Sequence, residues 1–520
     1  MPQHTRGRLT RYSPSRLLTG TAAAALLLSA CSDSTEPAGD QTPAEGGELI
    51  IAAVAEPENV TEPVVDGSLA GYNYYYNVFD RLTMFDAEGQ MQPELATEWE
   101  PNEDFTEWTY TIRDDVTFHD GEELTVDDVI FTYNEVLNST DSSVTGYLNV
   151  LDTVEAGEEE NTLIFTLNTS FSAFPSLTTA VSIVPEHVYS ELGSEEFAQQ
   201  PVGSGPFQFV SYTRGVEYVI ERNEDYWGGA PSLERVTFQT VSDQDARLNG
   251  VISGSVDLGQ ISPNQVGAVA DDPNIVIESV TSNGVVFLGV NTGAEGLDDP
   301  LVRQAIIHAV DRESIVENVL TGGGLANGQI VAQSVGGYDD SVQLPAYDPE
   351  LAEQLLAEAD YQGETITLEY ATDGRIPLST EVAQAIQGYL TAVGISVEMS
   401  GMDQSTLSNR VSATQDLRGL FLNTWAPSTM DGDMPATNFF CGGSNDYTHD
   451  ETACGLVEAQ REVDEQERTD VFGELAELNI EQGFIMPLYS PDNIYAANPN
   501  LDWQPRADGL FVLKDASLTE

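Results

Sequence analysis

Basic side chains are almost missing from this chain. Nineteen lysines and arginines face 86 aspartates and glutamates over 520 residues, a formal net charge of −67, and Lys514 is the sole lysine. No cationic patch can be assembled from so few residues to neutralise phosphate, which excludes nucleic acid as a partner and disfavours anionic headgroups. A neutral or cationic ligand suits the field better, although salt screens it over ~10 Å at 0.1 M. Abundant surface carboxylates also keep a protein soluble in a salty or acidic medium, and that accounts for the composition without any ligand. Catalytic signatures are absent too. There is no Gly-x-Ser-x-Gly, no His-Glu-x-x-His and no Walker loop, and the histidines beyond the first thirty residues are His119, His187, His308 and His449. No Cys/His pair stands in a protease-like setting. The reading is of a non-enzyme that needs no cofactor and draws energy, if it needs any, from another subunit. Disorder is not indicated, because 41% of residues are apolar and strand patterns persist along the chain. That apolar share over this length can bury a large core in two or three lobes.

Long hydrophobic runs are also lacking, with one short exception at the start. Arg6, Arg8, Arg11 and Arg16 precede the apolar stretch Leu17–Ala30 (LLTGTAAAALLLSA), too short for a permanent bilayer span and patterned as a secretory leader. It ends Leu28-Ser29-Ala30-Cys31, which resembles the lipobox of bacterial lipoproteins, where the cysteine takes diacylglycerol and becomes the new N-terminus. Residues 1–31 are therefore expected to be a lipoprotein signal. Two or more acyl chains, at ~0.8 kcal/mol per buried CH₂, would hold the protein at the outer face of the membrane or in the periplasm. Residues 32–47 (SDSTEPAGDQTPAEGG) read as a flexible tether.

Cysteine is scarce enough for simple arithmetic. With Cys31 lipidated, Cys441 and Cys454 remain as an even pair in an oxidising compartment. A bridge would close a loop of about 14 residues and contribute ~3 kcal/mol. The competing reading is a metal site with His449 as a third ligand, although a Cys-x-x-Cys knuckle is missing.

What is present is a regular alternation of strands and helices. The stretch Gly203–Gly259 holds a Gly/Pro-rich crossover, a strand carrying Val216, Tyr218 and Ile220, and an aromatic turn at Tyr226–Gly229. A strand with Val236 and Phe238 and a helix near 245–252 complete it. Upstream, Leu49–Val54 reads as a buried strand, and Gly71–Phe79 (GYNYYYNVF) as either core or the wall of a wet cleft. His119 beside Asp120 and Gly121 reads as a structural turn. Helix 125 onward opens with Asp127 and Asp128, as the helix dipole prefers. Downstream, apolar residues from Leu301 to Leu320 fall on one helical stripe started by Asp299-Pro300. Strand 365–370, helix 380–393 and strand 395–399 then form a βαβ-like lobe that favours parallel pairing.

Several of these segments together carry a resemblance. WTYTIRDDVTFHDGEELTVDDVIFTYN, VGSGPFQFVSYTRGVEYVIERNEDYWGGAPSLERVTFQTV, DPLVRQAIIHAVDRESIVENVLTGGG and YDPELAEQLLAEADY resemble the family 5 extracellular solute-binding proteins, the peptide and nickel receptors of ABC importers. The likeness runs in the family's order from about Leu49 to Asp508. It departs in loops such as Gln329–Tyr338, where relatives often carry prolines. The resemblance implies an α/β, two-lobed fold of the type II periplasmic-binding-protein kind, with an extra inserted domain and a hinged cleft. In numbers, lobe I takes 48–73, 202–282 and 485–520, the insert 74–201, and lobe II 283–484. It implies a monomeric receptor that captures short peptides and passes them to an ABC permease and ATPase. Nickel complexes, oligosaccharides and opine-like solutes are the alternatives on the same scaffold.

The loop Asn423–Phe440 (NTWAPSTMDGDMPATNFF) is the strongest candidate for the ligand. It sets Trp425, Asp431 and Asp433 after a buried strand, where open α/β sheets bind ligands, although Asp-Gly-Asp also suits a plain turn. In peptide receptors of the family an aspartate after the corresponding tryptophan pairs with the peptide's ammonium. The resemblance thus points to Asp431 or Asp433, at a longer spacing. It likewise points to Arg375 for the peptide carboxylate, a role that suits a bidentate guanidinium. Tyr72, Tyr489 and Asn291 complete the expected cleft.

Overall fold

The computed structural model describes residues 46–56, 62–373 and 375–519. Cys31, the leader and most of the tether lie outside these residues. Among the described residues no helix is long and apolar enough to cross a membrane.

A twelve-stranded sheet runs through the molecule. One half is ordered Ser396–Met402, Thr365–Ala371, Leu420–Trp425, Val285–Val290. The other half is ordered Leu258–Ile261, Glu48–Ala53, Arg235–Thr240, Glu217–Arg222, Phe207–Thr213. The strand Ile485–Ala497 joins them. Its first residues pair with Val286–Gly289, and its last six with Val276–Thr281. A thirteen-residue strand would normally be too regular to serve two sheets, but this one (IMPLYSPDNIYAA) contains Pro487 and Pro491. The register shifts opposite Pro487, between Val286 and Phe287, where a missing N–H and a bulge bend the strand. Residues 282 and 491 are tied by a backbone hydrogen bond of 2.9 Å. The fold is two-lobed, and chain segments crossing side by side between the lobes make the hinge.

The central strands explain themselves. All six residues of Val285–Val290 are buried, and Leu49 and Ile51 of Glu48–Ala53 are fully buried, as strands covered on both faces require. Thr365–Ala371 and Ser396–Met402 pair in parallel across the helix Ser379–Ala392, as the βαβ pattern predicts. Between the first strand and Phe207 the chain builds an antiparallel four-stranded sheet, Ala96–Pro101, Glu107–Ile112, Thr162–Leu167, Leu151–Ala156. Its Tyr110 and Phe165 share one buried cluster with Leu49, Phe207 and Phe238.

Gly71–Phe79 belongs to a helix, Leu69–Val78, with Tyr72, Tyr74, Tyr75 and Tyr76 all buried. Core is therefore the main role of the tyrosine run. The expected single helix 301–320 is corrected. The helix Pro300–Ala309 stops at Val310, which is extended, because the Asp311 side chain caps a fresh turn by accepting from the Ser314 amide at 2.9 Å. A π-helical turn, Ile315–Val319, follows.

The crossover at Gly203–Phe207 threads beside the end of the tyrosine helix. A Cβ on Gly203 would lie 2.0 Å from the Val78 carbonyl oxygen, and one on Gly205 2.6 Å from its carbon, so both positions demand glycine. His119 holds this crossover: its Nδ1 accepts from the Gly203 amide and its Nε2 lies 3.0 Å from the Gly205 carbonyl. Burial depresses its pKa, so the ring is neutral and serves as a structural tie. Asp80, fully buried, then accepts from Ser204 Oγ, Tyr226 Oη and Trp227 Nε1 at 2.8, 3.0 and 2.9 Å. The aromatic turn is packed onto this carboxylate.

Candidate functional site

The loop after Leu420–Trp425 leaves the sheet at the C-terminal edge shared with the parallel strand Thr365–Ala371. It turns through Pro427–Met430 and enters the helix Asp433–Phe440. Both of its carboxylates are engaged by arginines. Asp431 accepts from Arg468 Nη1 and Nη2 at 2.7 Å each, with the two side chains only 6% and 7% exposed. Asp433 accepts from Arg461 Nε and Nη2 at 2.6 and 2.9 Å and from Gln460. Gln460 Oε1 in turn accepts from Arg468 at 2.6 Å. Buried ions survive only with such partners. The expected free carboxylate for a ligand ammonium is therefore corrected: Asp431 and Asp433 brace the loop from behind, each already neutralised.

What faces the other lobe is the turn before them. The Tyr147 hydroxyl donates to the Gly67 carbonyl at 3.2 Å, with the Ser428 and Tyr72 side chains close beside it. Tyr72 donates to the Ala180 carbonyl at 3.2 Å, and Gly67 and Ser143 pack beside the two rings. Burial raises the pKa of both phenols, so they act as neutral hydrogen-bonding groups. Trp425 stacks edge-on to Phe439 at 5.5 Å, and its indole N–H has no partner among the described residues. Asn283, on the crossing segment, donates to the Pro427 carbonyl at 2.9 Å while its own amide reaches Ala507. The hinge and the turn are thereby tied together.

Two residues beyond Ser428, Met430 and Asp431 enter the wall of a cavity of about 610 Å³. The hairpin Phe85–Met91, with Trp99, Trp108 and Ser172–Ser176, lines one side; Gln333–Tyr338 and Asp464–Thr469 line the other. The seam continues past it to a direct contact, where the Ser172 amide donates to the Arg461 carbonyl at 2.9 Å.

The remaining candidates separate. Tyr489 pairs with Val286, next to Val285, which pairs with Trp425. Neighbouring strand residues face opposite sides, so Tyr489 lies in the opposite core layer from Trp425 and is 1% exposed. Asn291 sits beyond Val290, at the far end of the strand whose first residue meets Trp425, about 20 Å away at ~3.3 Å per residue. It ties the Leu417 and Gly419 carbonyls and is removed from the cleft. Arg375 follows Thr365–Ala371 on the same sheet edge as Trp425; it is exposed and in no ion pair among the described residues. Cys441 and Cys454 are joined in a disulfide. The group of metal-type ligands gathered there is Cys441, Cys454 and Glu458, while His449 turns to Asp446 at 3.8 Å; with both sulfurs bonded to each other, the three-ligand metal arrangement does not form.

Tyr147, Ser428, Arg461 and Arg468 escaped the sequence reading. Tyr147 lies in a 3₁₀ turn with no periodicity to mark it. The two arginines had a usable signal, being two of very few cations and flanking Asp464, which caps a helix.

The family model described as Bacterial extracellular solute-binding proteins, family 5 Middle, matches residues 90–447. The oligopeptide-binding protein AppA of Bacillus subtilis is 27% identical over 415 residues, covering 75% of this chain and 76% of AppA. The probable D,D-dipeptide-binding periplasmic protein DdpA of Escherichia coli is 23% identical over 491 residues, 90% of this chain and 94% of its own. The crystal structure of the ABC transporter substrate-binding protein CtaP of Listeria monocytogenes superposes with a TM-score of 0.83 at 25% identity, covering 92% of this chain and all of CtaP. With a family match over more than half its length and its two-lobed fold, the chain belongs to the bacterial extracellular solute-binding proteins of family 5.

Proposed function

We propose that the protein is the extracytoplasmic receptor of an ABC importer and captures a short peptide along the seam between its lobes. The observation that carries this reading is the approach of Ser428 to Tyr147 across the seam, near the unpartnered indole of Trp425. Rings and neutral donors converge there from both sides, and closing the lobes would dry them around a solute. The peptide reading is supported by the names of AppA and DdpA. Arg375, a free guanidinium on the same edge, is the partner proposed for a peptide carboxylate. Lobe I is assigned to 48–73, 202–282 and 485–520, the insert to 74–201 and lobe II to 283–484. The receptor acts as a monomer without catalysis, held to the membrane by lipid on Cys31, and hands its cargo to a permease and ATPase.

Calorimetry with a defined pool of di- to nonapeptides tests the ligand. Saturable heat that disappears in a Trp425→Ala variant is the expected result. Heat with a nickel chelate, an oligosaccharide or an opine, and none with peptides, would replace the ligand while keeping the receptor. Hydrolysis of the added peptides would overturn the non-catalytic reading.

A further inference from the structure

The cavity beside the Tyr147–Ser428 contact has a chemistry of its own. Its apolar wall comes from Phe85, Met91, Trp99, Phe105, Trp108 and Met430. Trp108 is 4% exposed, and its indole N–H has no partner among the described residues. The single guanidinium in the wall, Arg468, is already held by both oxygens of Asp431, so nothing is left to neutralise an anion. Three exposed carboxylates border the same space: Glu88, Asp464 and Glu465. None of them is in an ion pair among the described residues. Glu88 accepts from the neutral Gln504, and Asp464 caps two helix amides.

An acidic rim alone would mean little on so acidic a chain. Aromatic walls under that rim are a different matter, because ring faces attract cations and accept the methylene stems that carry them. A volume of about 610 Å³ lies within the ~300–1,000 Å³ of small-molecule pockets. We infer that this cavity receives a cationic, amphipathic group of the solute: a lysine- or arginine-like side chain, its stem against the rings and its charge at Glu88 and Glu465. The inference rests on the peptide-receptor reading and narrows it. Because the cavity has walls from the insert and from lobe II, such a group binds the closed form and favours closure.

The test is calorimetry with Ala-Lys-Ala, Ala-norleucine-Ala and Ala-Glu-Ala at 0.5 M salt, where general attraction to the acidic surface is screened. The full-length mature protein is compared with Glu88→Gln/Glu465→Gln, and with Glu158→Gln/Glu159→Gln on a distant exposed turn. The lysine peptide should bind at least tenfold tighter than the norleucine peptide. The cavity pair should reduce that advantage below threefold, and the distant pair should leave it unchanged. Equal binding of lysine and norleucine peptides would overturn the inference and leave the peptide reading standing. So would an advantage that the distant pair erodes equally. Failure of all three peptides to bind would overturn the peptide reading and the inference with it.

Discussion

Two buried acidic centres in this molecule are satisfied in opposite ways. Asp80, at the crossover between the first sheet half and the inserted domain, accepts from three neutral donors, Ser204, Tyr226 and Trp227. Asp431 and Asp433, behind the cleft turn, are satisfied chiefly by guanidinium groups from the junction of two helices, Arg461 and Arg468. None of these three hydrogen bonds comes from a cation, although Arg113 and Lys514 lie over the rings of Trp227 and Tyr226. The second centre spends two cations to hold one loop. Neutral donors close around a carboxylate in a fixed scaffold. A charged brace resists displacement of a loop whose outer face must meet a solute, because pulling it away leaves the buried Arg468 guanidinium without its counter-ion.

The widest separation between the two centres should come from removing a cation. Arg468→Met leaves Asp431 buried without its partner and should cost about 3–5 kcal/mol in urea unfolding. The double variant Arg468→Met/Asp431→Leu should recover much of that loss, since an apolar pair can replace a buried ion pair at little cost. A double variant no more stable than Arg468→Met would show that the loop is held by something other than the pairing.

Neutral donors do not always compensate burial, as a second carboxyl on the scaffold side shows. Glu62, 3% exposed, accepts from Tyr189 Oη and the Val64 amide. Desolvation, opposed by those bonds, pushes its pKa up to about 7 from 4.5. The folded state thus holds a proton that the unfolded chain releases near 4.5. The stability from this group is complete below pH 4.5 and is lost as pH rises to about 7. At ~1.36 kcal/mol per unit the loss is on the order of 3 kcal/mol at most. Glu62→Gln should flatten the stability profile between pH 4.5 and 7, and an unchanged slope would place the titration elsewhere.

Asp80→Asn should cost less, about 2 kcal/mol, because the amide keeps one acceptor and meets one donor with a donor. Its effect on ligand affinity should be within twofold. A larger affinity loss than for Arg468→Met would reverse the assignment of scaffold and cleft.

The scaffold centre was far more legible in the sequence than the cleft centre. Gly203–Phe207 and Tyr226–Gly229 announce a crossover and a packed turn through glycine, proline and ring content, all local signals. The strand that opens the cleft loop was legible for the same reason, from Leu420, Phe421 and Leu422. The partners of Asp431 and Asp433 lie 37 and 28 residues on, and no local pattern says whether a carboxylate faces a ligand or an arginine. The resemblance pointed to this loop, and the two carboxylates it singled out are held by Arg468 and Arg461. Asn291 failed similarly: being on a cleft strand does not fix which end of the strand a residue occupies.

The finest distinction concerns the turn itself. If the arginine brace only positions the loop, the groups that meet the other lobe should matter little for stability and more for binding. Tyr147→Phe removes the hydroxyl that donates to the Gly67 carbonyl and lies beside Ser428, a change worth about 1 kcal/mol. The ring remains to pack on Gly67 and Tyr72, so the loss of stability should stay within about 1 kcal/mol. Opening the lobes would part Tyr147 from Ser428, so loss of their contact falls on closure and should appear as a roughly fivefold weaker peptide affinity. Ser428→Ala removes the other side of the same contact and should weaken binding equally, and the double variant should add nothing further. Additive losses in that cycle would mean that the two hydroxyls contact the solute separately, which would place the peptide between Tyr147 and Ser428 instead of beside them.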